Sequence, residues 1–260
     1  MLFTDPSQIT FDHTPLRIIS LVPSLTELIF DLGLDDEVIG ITKFCVHPEL
    51  TIKDKVKVGG TKNPSIELIT DLNPHLIIAN KEENRKEDVT KLSLKFPVWL
   101  TEIKDQTSIY VFIKQLAELT NTCQLGNDLL TQHSAAVKEL KNLSGELPKL
   151  RVIYLIWKNP YMVAAGGTYI DEMIRLLGWK NVMDHRSRYP VVSKNEILNL
   201  NPDLVFLSSE PYPFRTKDLL DFDTLKATLV DGEAFSWYGS RLIKKIPYFY
   251  SLITHIKSML

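Results

Sequence analysis

Residues 71–82 read DLNPHLIIANKE and residues 199–210 read NLNPDLVFLSSE, one phrase written twice at an offset of 128. In each copy Leu-Asn-Pro is followed by one polar residue, a short apolar run and a polar loop ending in Glu. Proline disfavours helical geometry in the residue before it, so Asn-Pro marks the end of a helix. The apolar run behind it does not alternate, which reads as a strand covered on both faces. Ser65–Leu72 and Ser193–Leu200 read as the two helices so ended. A chain that repeats a helix stop and a strand start in this way is constrained to two copies of one α/β unit.

The repeat extends upstream. Arg17-Ile18-Ile19-Ser20-Leu21 matches Arg151-Val152-Ile153-Tyr154-Leu155 at an offset of 134, each a β-branched run that enters a turn and then a helical pattern. Ser24 and Glu27 fit a capping box, with Leu25, Leu28, Ile29 and Leu32 forming the apolar stripe before Gly33. Thr168 and Asp171 stand in the same relation ahead of Gly178. The expected fold class is α/β, two Rossmann-like lobes with mainly parallel sheets joined by one long helix. That helix is read between the copies, where Leu125, Leu129, Ala136, Val137 and Leu140 recur at helical spacing. The expected boundaries are residues 1–119, 120–149 and 150–260. A connector of about 20 residues spans about 30 Å, and its stiffness predicts modest opening and closing of the lobes.

Composition excludes several classes. A formal charge of -2 spread over 260 residues gives no basic field for a phosphate backbone, so nucleic-acid binding is not expected. Cys45 and Cys123 are too few for a disulfide framework and are read as free thiols. The segment MLFTDPSQITFDHTPLR lacks the cationic start, apolar run and cleavage site of a secretory signal. No apolar stretch approaches the roughly 18 residues of a membrane span, so a soluble, unexported protein is expected from these residues. A monomer is expected as well.

Ligands of open parallel sheets bind at the carboxyl ends of the strands. Two facing lobes would put those turns on a shared cleft. The turns carry Ser24, then Phe44, Cys45 and His47 in FCVHP, Lys62 in GGTKNP, Trp157, Tyr161, Tyr189 in RSRYP, and Trp237 and Tyr238 in FSWYGSR. So many rings in Gly- and Pro-rich loops favour a broad, flat, partly apolar ligand. Catalysis is not expected, because Ser240 in Tyr-Gly-Ser-Arg has no supporting nucleophile pattern and reads as a helix cap. Ala165-Gly166-Gly167-Thr168 lacks the Walker lysine and reads as a tight turn with a cap rather than a phosphate cradle. Cys45-x-His47 keeps two readings, a buried thiol or a contact to the metal of a bound chelate.

The ordered series RIISLVPSLTELIFDLG, GITKFCVHP, VGGTKNPSIELITDLNPHLIIA, GGTYIDEMIRLLG, VVSKNEILNLNPDLVFLSSEPYPF and FSWYGSR resembles the helical-backbone periplasmic binding proteins of ABC importers. The cobalamin-binding branch is the closest. The resemblance runs from about Arg17 to near the C-terminus. It implies a small-molecule metal chelate as ligand, cobalamin, a siderophore or haem, with no intrinsic cofactor. It also implies a periplasmic location, which the missing signal contradicts. Two lobe-surface glutamates are implied to dock on arginines of the permease transmembrane subunits: Glu210, and one of Glu82, Glu83 or Glu87 in KEENRKED. Two other classes stand beside this reading: a cytoplasmic protein that handles or modifies such a cofactor, and a receptor for a bare transition metal using His47 and His185.

Overall fold

Ile18, Ile19, Leu76, Ile77 and Ile78 have no exposed surface, as strands read from unalternating apolar runs require. The computed structural model describes residues 1–5, 17–145 and 147–260, so most of the segment read for an export signal lies outside the described residues. The chain divides into two units, Met1–His133 with Tyr238–Arg241, and Ser134–Trp237 with Leu242–Leu260.

In the first unit the elements run β1 (Leu2–Phe3), β2 (Ile18–Ser20), α1 (Pro23–Asp31), β3 (Val38–Ile41), β4 (Val56–Lys57), β5 (Gly59–Gly60), β6 (Asn63–Pro64), α2 (Ile66–Leu72), β7 (Leu76–Asn80), α3 (Lys86–Ser93), β8 (Val98–Thr101) and α4 (Gln106–Leu119). The sheet order is β1-β8-β7-β2-β3-β4 and every pairing in it is parallel. β5 and β6 form a separate antiparallel hairpin. The helix read over 120–149 is α5, Cys123–Ser144, and the division between the units falls inside it.

The second unit continues with β9 (Arg151–Trp157), β10 (Tyr161–Val163), α6 (Tyr169–Leu176), β11 (Lys180–Asn181), β12 (Val191–Val192), α7 (Lys194–Leu200), β13 (Leu204–Ser208), a 3-10 segment (Thr216–Phe222), β14 (Ala227–Val230), α8 (Gly232–Ser236) and α9 (Ser240–Met259). Its order is β12-β10-β9-β13-β14, with β11 beside the start of β9. β9, β13 and β14 are parallel, whereas β10 and β12 extend the sheet antiparallel.

The repeated phrase has one geometry in both units. Ser65 and Ser193 cap α2 and α7 through the amides of Leu68 and Glu196. Asn73 and Asn201 close the helices in the left-handed region, at φ 45°, ψ 64° and φ 43°, ψ 62°. Asparagine tolerates that region, and proline next to it prevents the helix from continuing. The repeated arginines read those helix ends. Arg17 donates from Nε to the Asn73 carbonyl at 3.2 Å and from Nη2 to that of Leu72. Arg151 donates to the carbonyls of Asn201 and Leu200 at 2.7 Å each.

Two expected caps are corrected. Ser24 and Glu27 do not form a capping box: Pro23 occupies the first turn and moves the helix start ahead of Ser24, leaving Val22 at the cap position with no side-chain bond. Ser240 does not cap α9 either, since its buried Oγ has no hydrogen-bond partner among the described residues. Thr168 does cap α6, accepting from the Asp171 amide at 3.1 Å. Glu27 is instead buried against Arg241, whose Nε and Nη2 both lie 2.8 Å from its Oε2. Gly239, at φ +68°, allows this approach, because a Cβ there would stand 2.2 Å from Leu28 Cδ1.

Replacing Asn201 by glycine is expected to leave stability within about 0.5 kcal/mol, whereas Asn201→Val costs about 1–2 kcal/mol from left-handed strain. Urea unfolding of the three proteins checks this. A second expectation concerns His133 on α5, which is buried with no partner for Nε2 among the described residues and has its pKa lowered from 6.5 to about 4 by desolvation. The unfolded chain takes up that proton first, so stability is full above pH 6.5 and falls as pH drops from 6.5 towards 4. The loss attributable to His133 is about 2 kcal/mol between pH 7 and pH 5. His133→Leu should flatten the urea-derived stability curve over that interval by a similar amount.

Candidate functional site

In the first unit one buried side chain ties together three loops at the carboxyl edge of the sheet. Asn84 Nδ2 donates to the Leu21 carbonyl beyond β2 at 3.0 Å and to the Thr61 carbonyl in the β5–β6 turn at 2.9 Å. Its Oδ1 accepts from the Asn80 amide at the end of β7 at 2.8 Å, and Asn80 Nδ2 in turn reaches Thr101 Oγ1 on β8. Lys62, at the tip of that turn, donates to the Glu82 carbonyl at 2.5 Å. Partial desolvation lowers the Lys62 amine, and Glu83 and Glu82 oppose that shift. Neither Asn80 nor Asn84 was singled out from the sequence. Asn84 sits inside the charge run KEENRKED, where an uncharged residue is the one signal available.

Phe44 is 51% exposed and packs beside Gly60 of the hairpin, where a Cβ would come within 3.2 Å of its ring. Lys43 Nζ stands 5.2 Å from the centre of the same ring. Cys45, one residue on, is buried. Its Sγ donates to Thr26 Oγ1 at 3.2 Å and lies 3.3 Å from Thr42 Oγ1, and Thr26 continues to Ser20 Oγ at 2.8 Å. Burial pushes the thiol pKa up. Of the two readings of Cys45-x-His47, this geometry fits a thiol that holds its loop onto β2 and α1. His47 is half-buried, and Ser24 is buried with no partner for its Oγ among the described residues.

In the second unit the turn between β9 and β10 is pinned by charge. Lys158 Nζ lies 2.6 Å from Asp218 Oδ1 and 2.7 Å from Asp221 Oδ2. The two carboxylates hold the amine well above the usual lysine range, and the amine lowers both of them. Tyr161 donates from its hydroxyl to Asp221 Oδ2 at 2.8 Å; burial and that bond push the phenol up to about 12. Trp157 is 41% exposed, its ring 5.7 Å from that of Tyr212, which meets Phe214 at 4.8 Å. Tyr189 is half-buried in the loop before β12. Gly166 is pressed against the Asp184 carbonyl, where a Cβ would stand at 2.2 Å, and Gly167 lies at φ +76°, so the tight-turn reading of Gly166-Gly167 fits.

The rings of FSWYGSR are placed differently from what was expected. Trp237 is 7% and Tyr238 3% exposed, so neither ring lies open on its loop. Trp237 Nε1 donates to Glu210 Oε1 at 2.9 Å, as does Ser236 Oγ. Glu210 is thus half-buried with one oxygen committed, and burial pushes its carboxyl pKa up. Glu83 is half-buried and Glu87 is exposed in the first turn of α3. Among the described residues no group of three or more His, Cys, Asp or Glu is placed to hold a metal ion, and no helix is long and apolar enough to cross a membrane.

Parallel sheets whose carboxyl-end loops are tied by hydrogen bonds and carry exposed rings suit a small-molecule binding protein. Residues 18–228 match the model of the periplasmic binding protein family, and the chain belongs to that family, one of binding proteins rather than enzymes. It is 30% identical to a vitamin B12-binding protein of Vibrio vulnificus (strain CMCP6) over 194 residues, 74% of this chain and 71% of the relative. The fold is similar to that of the periplasmic vitamin B12 binding protein BtuF of Vibrio cholerae, with a TM-score of 0.78 and 21% identity over 93% of this chain and 98% of the other. It is also similar to the apo periplasmic haem-binding protein RhuT of Roseiflexus sp. RS-1, with a TM-score of 0.75 and 21% identity over 92% and 99%.

The two thiols should separate in reactivity. Cys123 is exposed and Cys45 is buried with a raised pKa, so Ellman's reagent at pH 8 should titrate one thiol per native chain and two in urea. A Cys123→Ser variant that still reacts promptly when folded would show the loop of Cys45 to be open.

Proposed function

We propose that the protein is the substrate-binding component of an ABC-type importer and that it carries a corrinoid of the cobalamin class or a related metal chelate. The observation that carries this reading is the exposed aromatic surface at the carboxyl-end loops, Phe44 in the first unit and Trp157 in the second. Uncharged ring area of this kind suits a broad macrocycle whose face is apolar and whose rim is polar. A corrinoid brings its metal already enclosed by its own nitrogens, so contact area and a few polar groups suffice to hold it. The vitamin B12-binding relative supports the same ligand class. His47, Lys62 and Tyr189 are candidate polar contacts at the rim.

Haem is the second reading, supported by the similarity to a haem-binding structure. Tyr161 suits it poorly, because its hydroxyl is given to Asp221 and its pKa is pushed away from the phenolate that ferric iron prefers. In either case transfer to the permease uses acidic side chains on each unit. Glu87 is the better first-unit candidate than Glu83 because it is exposed, and Glu210 offers the oxygen that Trp237 does not use. Such a carrier works on the outer side of the cytoplasmic membrane, as the family does, and as a monomer.

Isothermal titration of the purified protein with cyanocobalamin, dicyanocobinamide, haemin and ferrichrome tests the reading. Binding of a corrinoid with a dissociation constant of about 1 μM or tighter is expected. Tight haemin binding with none to the corrinoids moves the assignment to haem. Silence from all four ends the proposal.

A further inference from the structure

Trp157 is the last residue of β9, and Tyr212 lies in the loop that leaves β13, its parallel neighbour. Both rings therefore stand at the carboxyl edge of adjacent strands, where ligands of open sheets are held. The ring planes meet at 66°, with centroids 5.7 Å apart, so the pair makes a corner and not a flat floor. The corner is fixed from two sides. The Tyr212 amide donates to the Ile156 carbonyl at 3.2 Å, and Lys158, next to Trp157, is locked between Asp218 and Asp221. The other three tryptophans, Trp99, Trp179 and Trp237, are 2%, 3% and 7% exposed, against 41% for Trp157. A large indole left open beside a second ring, on a turn held this firmly, is not explained by packing within the second unit.

We propose that Trp157 and Tyr212 together form the second unit's seat for the edge of a flat metal macrocycle, the macrocycle face lying on one ring and its rim against the other. This rests on the chelate-carrier reading above and adds a contact residue, Tyr212. The same geometry removes Trp237 and Tyr238 from the contact set. Trp237 is spent on Glu210, so its replacement should act through stability and not through the ligand.

The test combines affinity with chemical protection. Titrations with cyanocobalamin, dicyanocobinamide and haemin are run on the wild type and on Trp157→Ala, Tyr212→Ala and Tyr212→Phe, with thermal melts to confirm folding. The alanine variants should each weaken the bound macrocycle on the order of tenfold, and Tyr212→Phe should stay within about twofold, because the ring and not the hydroxyl makes the contact. Separately, mild N-bromosuccinimide oxidation mapped by peptide mass spectrometry should modify Trp157 first in the free protein and spare it in the complex. If an alanine variant fails to fold, the protection result on the wild type decides. Undiminished affinity in folded alanine variants, or oxidation of Trp157 unaffected by bound macrocycle, overturns this seat while leaving the carrier function standing. If the wild type binds none of the three macrocycles, the carrier reading and the seat both fall.

Discussion

An arginine that reads the end of a helix fixes both halves of this chain. Arg17 and Arg151 each stand at the foot of the strand around which their sheet is ordered, and each spends its guanidinium on the last carbonyls of the helix that precedes the neighbouring strand. Those carbonyls are the ones a helix leaves without partners, and a cation there also meets the negative end of the helix dipole. The same arginine backbone accepts from the residue just before the neighbouring strand, His75 onto Arg17 and Asp203 onto Arg151, both at 2.8 Å. Helix end, chain reversal and strand register are thereby set at one point. Because the amino ends of β2 with β7 and of β9 with β13 are held so firmly, the opposite ends are free to carry loops of differing length and chemistry.

This explains which parts of the fold were legible. Proline and asparagine act through local backbone geometry, and a strand buried on both faces must be apolar throughout, so the repeated helix stop and parallel strand could be read from residue order alone. Ser24 and Glu27 misled because two features compete there: a capping-box spacing, and a proline that starts the helix one residue earlier. Arg241, 214 residues from Glu27, supplies the partner that residue order cannot show. The rings were legible as a set but not singly. Phe44 and Trp157 are open and Trp237 and Tyr238 are buried, and residue order does not show the acceptor that Glu210 offers to the Trp237 indole N–H. Asn84 and Tyr212 were missed because their roles depend on loops brought together by the sheet.

The Glu27–Arg241 pair raises an energetic question, since burying two charges costs several kcal/mol that their attraction repays only with good geometry. Here Nε and Nη2 both approach Oε2 at 2.8 Å. The pair contributes little as net stabilisation over a well-packed apolar pair, but removing either partner would leave a buried charge. Its consequence is topological. Tyr238–Arg241 group with the first unit although the chain on both sides of them belongs to the second, and the ion pair and the close seat of Gly239 on Leu28 secure that return.

The same division of labour recurs within each candidate site: polar groups are used inward and apolar rings outward. Cys45, Thr26, Thr42 and Ser20 satisfy one another behind Phe44; Asn80 and Asn84 satisfy three loops beside it; Lys158, Asp218, Asp221 and Tyr161 pair with one another beside Trp157. A loop whose hydrogen bonds are already made loses little further freedom when a ligand arrives, so ring area converts to affinity with a smaller ordering cost. It also offers few unpaired polar atoms for a small hydrophilic solute to claim. On the carrier reading proposed above, selectivity for a wide, flat, largely apolar guest follows from what these networks withhold from the surface as much as from the rings they present.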